Sequence, residues 1–194
     1  MPNYTSDLNL AIFGHESAHL DAVAKVFGAT SSHEISSQID CAIFAINPNT
    51  GIDQATIDLW QAFDEYLVPR IVVVTDLEKD VGDFDDAVML ANRVFDQIAT
   101  PYLVLHDDDG LPRALISLND MMIIDYSTEP PTRTNSEAEH EVLVQEFRDE
   151  YLELVTSMGE DAFSAGVLFP AIPLWIDKGL GVDIVISYLN QLKK

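Results

Sequence analysis

Two short runs of apolar residues, Cys41–Ile46 and Ile71–Val74, most constrain how this chain can fold. The first is closed by the turn residues of Asn47–Gly51, and the second lies between Pro69 and Asp76. Short runs rich in β-branched residues are typical of strands that are buried on both faces of a parallel sheet. The second run therefore predicts a strand that is buried on both faces of a parallel sheet, and the first run predicts a further strand.

Amphipathic helices are predicted before, between and after these strands. An earlier apolar run, Leu8–Phe13, predicts a first strand that ends at Gly14. Three helices follow, with apolar faces at Leu20, Val23, Ala24 and Phe27, at Ile57, Trp60, Phe63 and Leu67, and over the segment from Asp83 to Phe95. Strands that alternate with helices are typical of a doubly wound, mainly parallel α/β sheet, on which we expect Trp60 and Phe63 to pack.

The pattern changes at Pro101. Short strands separated by turn residues predict a small antiparallel insert, and Ser136 with Glu139 forms a capping box for a long helix. The remaining predicted elements are a connector (Thr30–Gln38), insert strands (Tyr102–Leu105, Ala114–Leu118, Met121–Tyr126), a linker (Thr128–Asn135), an apolar helix stripe (Val144, Phe147, Tyr151, Leu154, Met158), a last strand (Val167–Phe169) and a last helix (Val182–Leu192). We expect one domain over 1–194, with a core over 1–105, an inserted subdomain over 106–160 and a closing strand and helix over 161–194.

The net charge of the chain limits which kinds of binding partner we expect. The chain has 33 acidic and 10 basic residues, which gives a formal net charge of −23. This charge repels phosphate backbones and anionic lipid headgroups, so we expect a protein partner with a basic surface, and neither a nucleic acid nor a membrane. No apolar run approaches the roughly 20 residues that span a bilayer, and the single Cys41 cannot form an internal disulfide. We therefore expect a cytoplasmic protein.

Residues 40–75 resemble the central part of the GTPase domain of elongation factor G. They contain an apolar strand, a turn with glycine, a helix with Trp60 and the segment Tyr66-Leu-Val-Pro-Arg-Ile71, in the order found in that family. Gly14-His15 is similar to the family's Phe-Gly-His at the phosphate loop, residues 101–124 resemble its inserted subdomain, and Ile184–Leu189 resembles its closing helix. The resemblance implies a P-loop NTPase-like fold.

The same resemblance implies a nucleotide site around a phosphate loop of pattern G-x-x-x-x-G-K-[ST]. Gly14 is kept, whereas His19 takes the place of the second glycine, Leu20 that of the lysine and Asp21 that of the hydroxyl; the whole loop is Gly14, His15, Glu16, Ser17, Ala18, His19, Leu20 and Asp21. The lysine would neutralise phosphate oxygens, an attraction of about 4 kcal/mol at a separation of ~4 Å and an effective dielectric near ~20. We expect its loss to weaken nucleotide binding severely.

The motif that selects guanine is altered too. In the family it is N-K-x-D, and the resemblance places Thr75, Asp76 and Glu78 at these positions. Glu78 can still accept a hydrogen bond from a base, but its side chain is longer than that of the family's aspartate and displaces the carboxylate. The lysine that stacks on the base in the family is absent. The family's closing Ser-Ala-Leu loop corresponds to Ala171-Ile172-Pro173, in which Pro173 has no amide to donate.

Only about a dozen residues separate the first predicted helix from Asp40. This is too short to contain the family's two switch segments, its Asp-Thr-Pro-Gly metal site and its histidine that positions the attacking water. GTP hydrolysis depends on magnesium and on a positioned water. We therefore expect a non-catalytic GTPase-like domain that needs no cofactor and binds another protein. Two alternatives are residual binding of GTP or GDP, with or without magnesium, and a metal-dependent enzyme.

The metal alternative rests on His15, His19 and Asp21, because histidines four residues apart on a helix face the same way. If His15 lies in a loop instead, the spacing has no such meaning. Asp107, Asp108 and Asp109 lack the alternating spacing of a calcium loop and predict a tight turn before Gly110. The acidic residues of the long helix are expected to form a solvated face, and Cys41 to pack in the core.

Overall fold

Short strands and helices alternate along the first half of the chain. The computed structural model describes residues 7–31, 35–36, 38–77 and 82–193. The first elements are β1 (Leu10–Gly14), α1 (Leu20–Phe27), β2 (Thr30–Ser31), β3 (Cys41–Ile46), α2 (Gln54–Ala62), β4 (Arg70–Val74), α3 (Phe84–Val94) and β5 (Ile98–Ala99). They are followed by β6 (Tyr102–His106), β7 (Pro112–Ser117), β8 (Met122–Asp125), β9 (Thr132–Asn135), α4 (Ala138–Met158), β10 (Phe169–Pro173) and α5 (Val182–Asn190).

The main sheet has the strand order β2-β1-β3-β4-β10-β5, and all its neighbouring strands are parallel. Every residue of β3 and β4 is buried. Alternate side chains contribute to two cores, one shared with α1 and α5 and the other with α2 and α3. The predicted doubly wound, mainly parallel sheet is therefore confirmed, and so are the buried positions of Trp60, Phe63 and Cys41.

The antiparallel insert is confirmed as a second sheet, with the strand order β6-β7-β8-β9. α4 covers it: Val144 packs with Ile116, Leu118 and Met121 in a small separate core. The Arg148 Nε donates to the Leu118 carbonyl oxygen at 3.1 Å. Helix and sheet are thus held together by apolar packing at one point and by a charged hydrogen bond at another.

Four short segments differ from the sequence expectations. The predicted connector contains the edge strand β2, and the predicted linker contains β9, which is fully exposed and pairs only with β8. β5, which pairs with β10, was not expected. The last strand begins at Phe169 and not at Val167, so that residues 169–173 lie inside the sheet. Segments of two to four residues, or wholly polar ones, have no apolar periodicity, and only their tertiary pairing makes them strands.

The start of α4 also differs from the expectation. Its N-cap is Glu137, without a side-chain cap, and the Ser136 hydroxyl donates to Glu141 at 3.1 Å, so the predicted capping box with Glu139 is wrong. Phe147 was expected in the buried stripe but is 50% exposed, because the insert covers only the face of α4 that carries Val144. Within the described ranges, no helix combines the length and the apolar character needed to cross a membrane.

Arg70, the first residue of β4, is a charged side chain in the core. It is 1% exposed, and its guanidinium lies 4.5 Å from the Trp60 ring centroid and 4.2 Å from that of Phe169. Its Nη1 donates to the Trp60 carbonyl oxygen at 2.9 Å and pairs with Asp64 at 2.7 Å. One side chain therefore joins α2, β4 and β10 through stacking, a hydrogen bond and an ion pair.

We predict that Arg70→Met lowers the free energy of unfolding by about 2–4 kcal/mol, because it removes a buried charged hydrogen bond to the Trp60 carbonyl oxygen and the stacking on Trp60 and Phe169. The ion pair adds little to this loss, since Asp64 is half exposed. Urea unfolding measures the change. Arg93→Met, at an exposed position of α3, is the matched control and should change stability little. Similar losses at both positions would contradict the role given to Arg70.

Gly14 ends β1 where the chain passes closest to β3. Its φ is +146°, and a Cβ built there overlaps the Ala45 carbonyl oxygen. The Leu20 Cδ2 lies 3.2 Å away on the other side. The packing of the sheet therefore requires glycine at this position, independently of any ligand at the loop that follows.

We predict that Gly14→Ala destabilises the chain by more than about 2 kcal/mol, because a backbone oxygen cannot move aside as a side chain can. Gly110→Ala is the control: Gly110 also has a positive φ, of +79°, but open space surrounds it. The control isolates the backbone strain, which costs about 1 kcal/mol. Thermal and urea unfolding of both variants compare the two costs, and equal costs would disprove the close approach.

Candidate functional site

The carboxyl ends of β1, β3, β4 and β10 meet at one edge of the main sheet, where α1 also begins. The chain leaves β1 toward β2 on one side and later returns to β3 on the other, and ligands of open α/β sheets bind at such a crevice. A cavity of about 220 Å³ lies at this edge, beside the start of α1 and the residues that follow β4 and β10; it is lined by His19, Ala22, Thr75, Asp76, Leu174, Trp175, Ile176 and Asp177. This crevice is the candidate functional site.

Residues 14–21 form the loop beside the crevice, as the resemblance implies, but the loop is folded onto itself. Glu16–Ala18 make a 3₁₀ turn that His15 caps: the His15 Nδ1 accepts from the Ser17 amide at 3.2 Å. The Ala18 amide donates to the His15 carbonyl oxygen at 2.9 Å and the His19 amide to that of Glu16 at 3.3 Å. Three successive amides of the loop therefore have partners within the loop.

A buried carboxylate ties this loop to the sheet. Asp76, 4% exposed, follows β4, and its Oδ1 lies 2.9 Å from the His19 Nε2. Its Oδ2 accepts from the Asn47 side-chain amide. Asp76 and His19 both have a left-handed backbone, with φ of 56° and 57°, and this conformation aims the two side chains at each other. Both carboxylate oxygens thus have donors supplied by the ends of β3 and the loop.

The turn after β3 is the second attachment of the loop. The Asn47 Nδ2 also donates to the Ser17 carbonyl oxygen at 3.0 Å, and the Ser17 Oγ lies 2.7 Å from the Thr50 Oγ1. The same Ser17 Oγ lies 2.8 Å from the His15 Nδ1. Asn47 therefore links three segments, the loop, its own turn and the residue after β4, through one side chain.

Leu20 and Asp21, at the positions of the lysine and hydroxyl, point to different environments. Leu20 packs against the core shared with α1 and α5, while Asp21 is exposed in the first turn of α1. Thr75 is buried, and its hydroxyl donates to the Ile46 carbonyl oxygen at 3.3 Å. Glu78, the predicted base acceptor, lies outside the described residues.

The placement of Ala171 in the closing loop is wrong. Ala171 is fully buried in the middle of β10, paired with Val72 of β4, and does not reach the crevice. The residues that leave β10 at the crevice are Leu174, whose amide donates to the Val74 carbonyl oxygen at 2.8 Å, and Trp175, which lines the cavity. The error comes from the strand ending later than its apolar pattern indicates.

The predicted metal cluster is not assembled. His15 and His19 lie on a 3₁₀ turn and a left-handed residue, not on one helix face, and each ring nitrogen described above has a different partner. Among the residues that the structure describes, no group of three or more His, Cys, Asp or Glu side chains is arranged to hold a metal ion. Asp107 forms the predicted turn, accepting from the Asp109 and Leu111 amides.

Sequence reasoning missed Asn47, Thr50 and Trp175. Asn47 comes directly after a buried strand, at the edge where polar residues of neighbouring parallel strands meet, and this position is a signal that the sequence does contain. Trp175 gives no comparable signal. Cys41, the remaining reactive group considered, is inert in this setting, because burial raises the pKa of its thiol.

Comparison with known proteins agrees with this architecture. No protein-family model matches the chain. Two curated relatives, each described as "Elongation factor G-like protein" and from Mycobacterium tuberculosis strains CDC 1551 and H37Rv, are 29% identical over 167 residues, covering 73% of this chain and 22% of each relative. The chain thus spans about a fifth of the length of these relatives.

A crystal structure from Thermus thermophilus shares the fold, with a TM-score of 0.70 and 21% identity, over 81% of this chain and 27% of that one. Its similarity supports the doubly wound sheet with its insert. The resemblance drawn from residues 40–75 is confirmed by the curated relatives. Sequence and fold together support a shortened domain similar to elongation factor G-like proteins.

Proposed function

We propose that this translational GTPase-like domain has lost nucleotide binding and GTP hydrolysis and acts as a non-catalytic module that binds a protein with a basic surface. The observation that carries the proposal is the state of residues 14–21. A phosphate loop binds because its backbone amides are free to donate to the ligand. Here the amides of Ser17, Ala18 and His19 donate within the loop.

Charge at the crevice supports the same proposal. Asp76 and Asp177 both line the cavity, while the lysine position holds Leu20. A phosphate about 4 Å from a carboxylate at an effective dielectric near ~20 meets a repulsion of about 4 kcal/mol, where a lysine would give an attraction of the same size. The described residues thus favour a cation over a phosphate at this position.

The volume of the crevice also argues against nucleotide binding. The crevice has a volume of about 220 Å³. Pockets that bind cofactors and other small ligands typically measure about 300–1,000 Å³. A nucleobase fits such a space, but a nucleotide with its sugar and phosphates would need the loop to open and give up the hydrogen bonds to Asn47 and Thr50. Residual nucleotide binding therefore remains the second candidate, and its test is the same.

The proposed protein-binding surface is the solvent side of α4. Val142, Leu143 and Phe147 are exposed there, by 79%, 74% and 50%. Exposed carboxylates surround them: Glu139, Glu141, Glu146, Asp149 and Glu150. An apolar centre with a charged rim is the usual composition of a protein interface. With a net charge of −23, the complementary partner is basic.

We predict that GTP and GDP, each at millimolar concentration with magnesium, leave the melting temperature unchanged and that GTP is not hydrolysed above the buffer control. A nucleotide at about 100 times its dissociation constant would stabilise the chain by about 2.7 kcal/mol, or roughly 5–10 °C. Magnesium alone is the matched control. A shift with magnesium alone would instead favour the metal-dependent alternative, for which His15, His19 and Asp21 would have to rearrange from their described positions.

Two results would overturn the proposal. A melting shift that appears only with guanine nucleotides would establish residual binding at the crevice. Phosphate release above the buffer control that Ser17→Ala abolishes would establish catalysis by the loop. Release that survives this substitution unchanged would identify a contaminating enzyme and leave the non-catalytic assignment intact.

We predict that the chain, immobilised and exposed to a native extract, retains a basic protein at about 50 mM salt and releases it at about 500 mM, because screening weakens exposed charge pairs. The double variant Leu143→Ser and Phe147→Ser should retain it poorly. Met89→Ser, at an exposed apolar position of α3, is the control and should retain it fully. Equal retention by all three chains would exclude α4 as the binding surface.

A further inference from the structure

A second cavity, larger than the crevice, lies where the antiparallel sheet, α4 and α5 meet. Its volume is about 590 Å³, within the range of ligand-binding pockets. Three tyrosines line it, Tyr102 from β6, Tyr151 from α4 and Tyr188 from α5, together with two carboxylates, Asp120 and Glu160. We call it the tyrosine cavity. It shares no lining residue with the crevice at the end of the main sheet.

The three tyrosines converge in this cavity. Tyr151 and Tyr188 lie close enough to affect each other's ionisation, and the ring of Tyr188 packs edge-on against Phe163 at 5.0 Å between centroids. Burial, followed by the charge of Asp120, raises the pKa of Tyr102, and burial also raises those of Tyr151 and Tyr188. The hydroxyls therefore stay neutral at physiological pH and offer oxygen atoms as acceptors.

The two carboxylates give the cavity its charge. Asp120 lies in the turn between β7 and β8, where its Oδ1 accepts from the Met122 amide at 3.1 Å. Partial burial opposes ionisation of Asp120, but hydrogen bonds from Ser117 and Met122 and the charge of Arg133 outweigh it and lower the pKa. Glu160, just beyond α4, is exposed. Asp120 therefore carries a negative charge at neutral pH, as an exposed glutamate does.

No basic side chain is among the described residues that line the cavity. The cation that acts on Asp120, Arg133, is not one of them; it is 62% exposed and pairs with Asp183 at 3.3 Å. A phosphate or carboxylate ligand would meet the repulsion of the two carboxylates, and no basic side chain among these lining residues offsets it. A ligand that brings positive charge and N–H donors instead matches the carboxylates in charge and the carboxylate and hydroxyl oxygens as acceptors.

We propose that the tyrosine cavity binds an organic cation with N–H donors, an alkylammonium or guanidinium group, between Asp120 and Glu160 and against the faces or hydroxyls of the three tyrosines. Ion pairing would fix the charged group, and the aromatic side chains add cation–π attraction. Such a group occurs in free polyamines and in the lysine and arginine side chains of a basic protein. The tyrosine cavity contains no residue of the phosphate loop, so its test is independent of the proposed loss of nucleotide binding.

The test is calorimetric titration of the whole chain with spermidine and with N-acetylarginine methylamide. We expect at least one to bind, with shifts of the Tyr102, Tyr151 and Tyr188 ring signals in NMR spectra. Tetramethylammonium, a cation without N–H donors, should bind about tenfold more weakly or worse. Tighter binding of spermidine points to a free polyamine as the ligand, and tighter binding of the arginine derivative to a protein side chain.

Charge-removing variants locate the site. Glu160→Gln and Asp120→Asn should each weaken binding about tenfold. Glu153→Gln, which removes an exposed charge from α4 outside the cavity, should leave it unchanged. Asp120 also accepts a backbone hydrogen bond in its turn, so Asp120→Asn could disturb the fold, and circular dichroism is used to check that this variant folds. Glu160 is exposed beyond the end of α4, so Glu160→Gln tests the site without this risk.

Three outcomes would overturn the assignment. The first is that neither N–H cation binds up to about 10 mM. The second is that tetramethylammonium binds as tightly as the N–H cations, since hydroxyl and carboxylate acceptors would then play no part. The third is that Glu160→Gln and Glu153→Gln weaken binding equally, which would show only general attraction to an acidic chain.

Discussion

Burial of both faces of β3 and β4 is the constraint on which the rest of the structure depends. Strands with no solvated face need a partner strand at each edge and a helix over each face, and these are β1, β10 and the helices α1, α2, α3 and α5. Because these strands are parallel, their carboxyl ends meet at one edge. Polar residues that follow them, Asn47 and Asp76 among them, are brought into contact there.

The two cavities differ in what their polar groups do. At the crevice, the Asp76 carboxylate already has donors from His19 and Asn47, so its charge serves the packing of the loop. In the tyrosine cavity, Asp120 and Glu160 line open space and no described basic residue lies between them. The domain thus combines a GTPase-like sheet with a second polar cavity at the insert.

The central strands, α2 and the packing of Trp60 were predictable, because each depends on the apolar pattern of one short segment. The two-residue strands β2 and β5 were not, since two residues have no period, and the polar β9 is a strand only because β8 pairs with it. At the site, the position of Gly14 and of the loop followed from sequence. The assignment of Ala171 to the closing loop failed because β10 continues to Pro173. For the same reason Trp175, which lies beyond the end of β10, lines the crevice in place of Ala171.

The attachment of residues 14–21 to the turn after β3 has an entropic consequence. Ser17 is held at once by His15, Thr50 and Asn47, so the loop is ordered before anything binds to it. Ordering the backbone of a free loop costs about 1–2 kcal/mol per residue, and loops that a nucleotide must order incur this cost at each binding event. A surface that includes this loop is therefore preorganised.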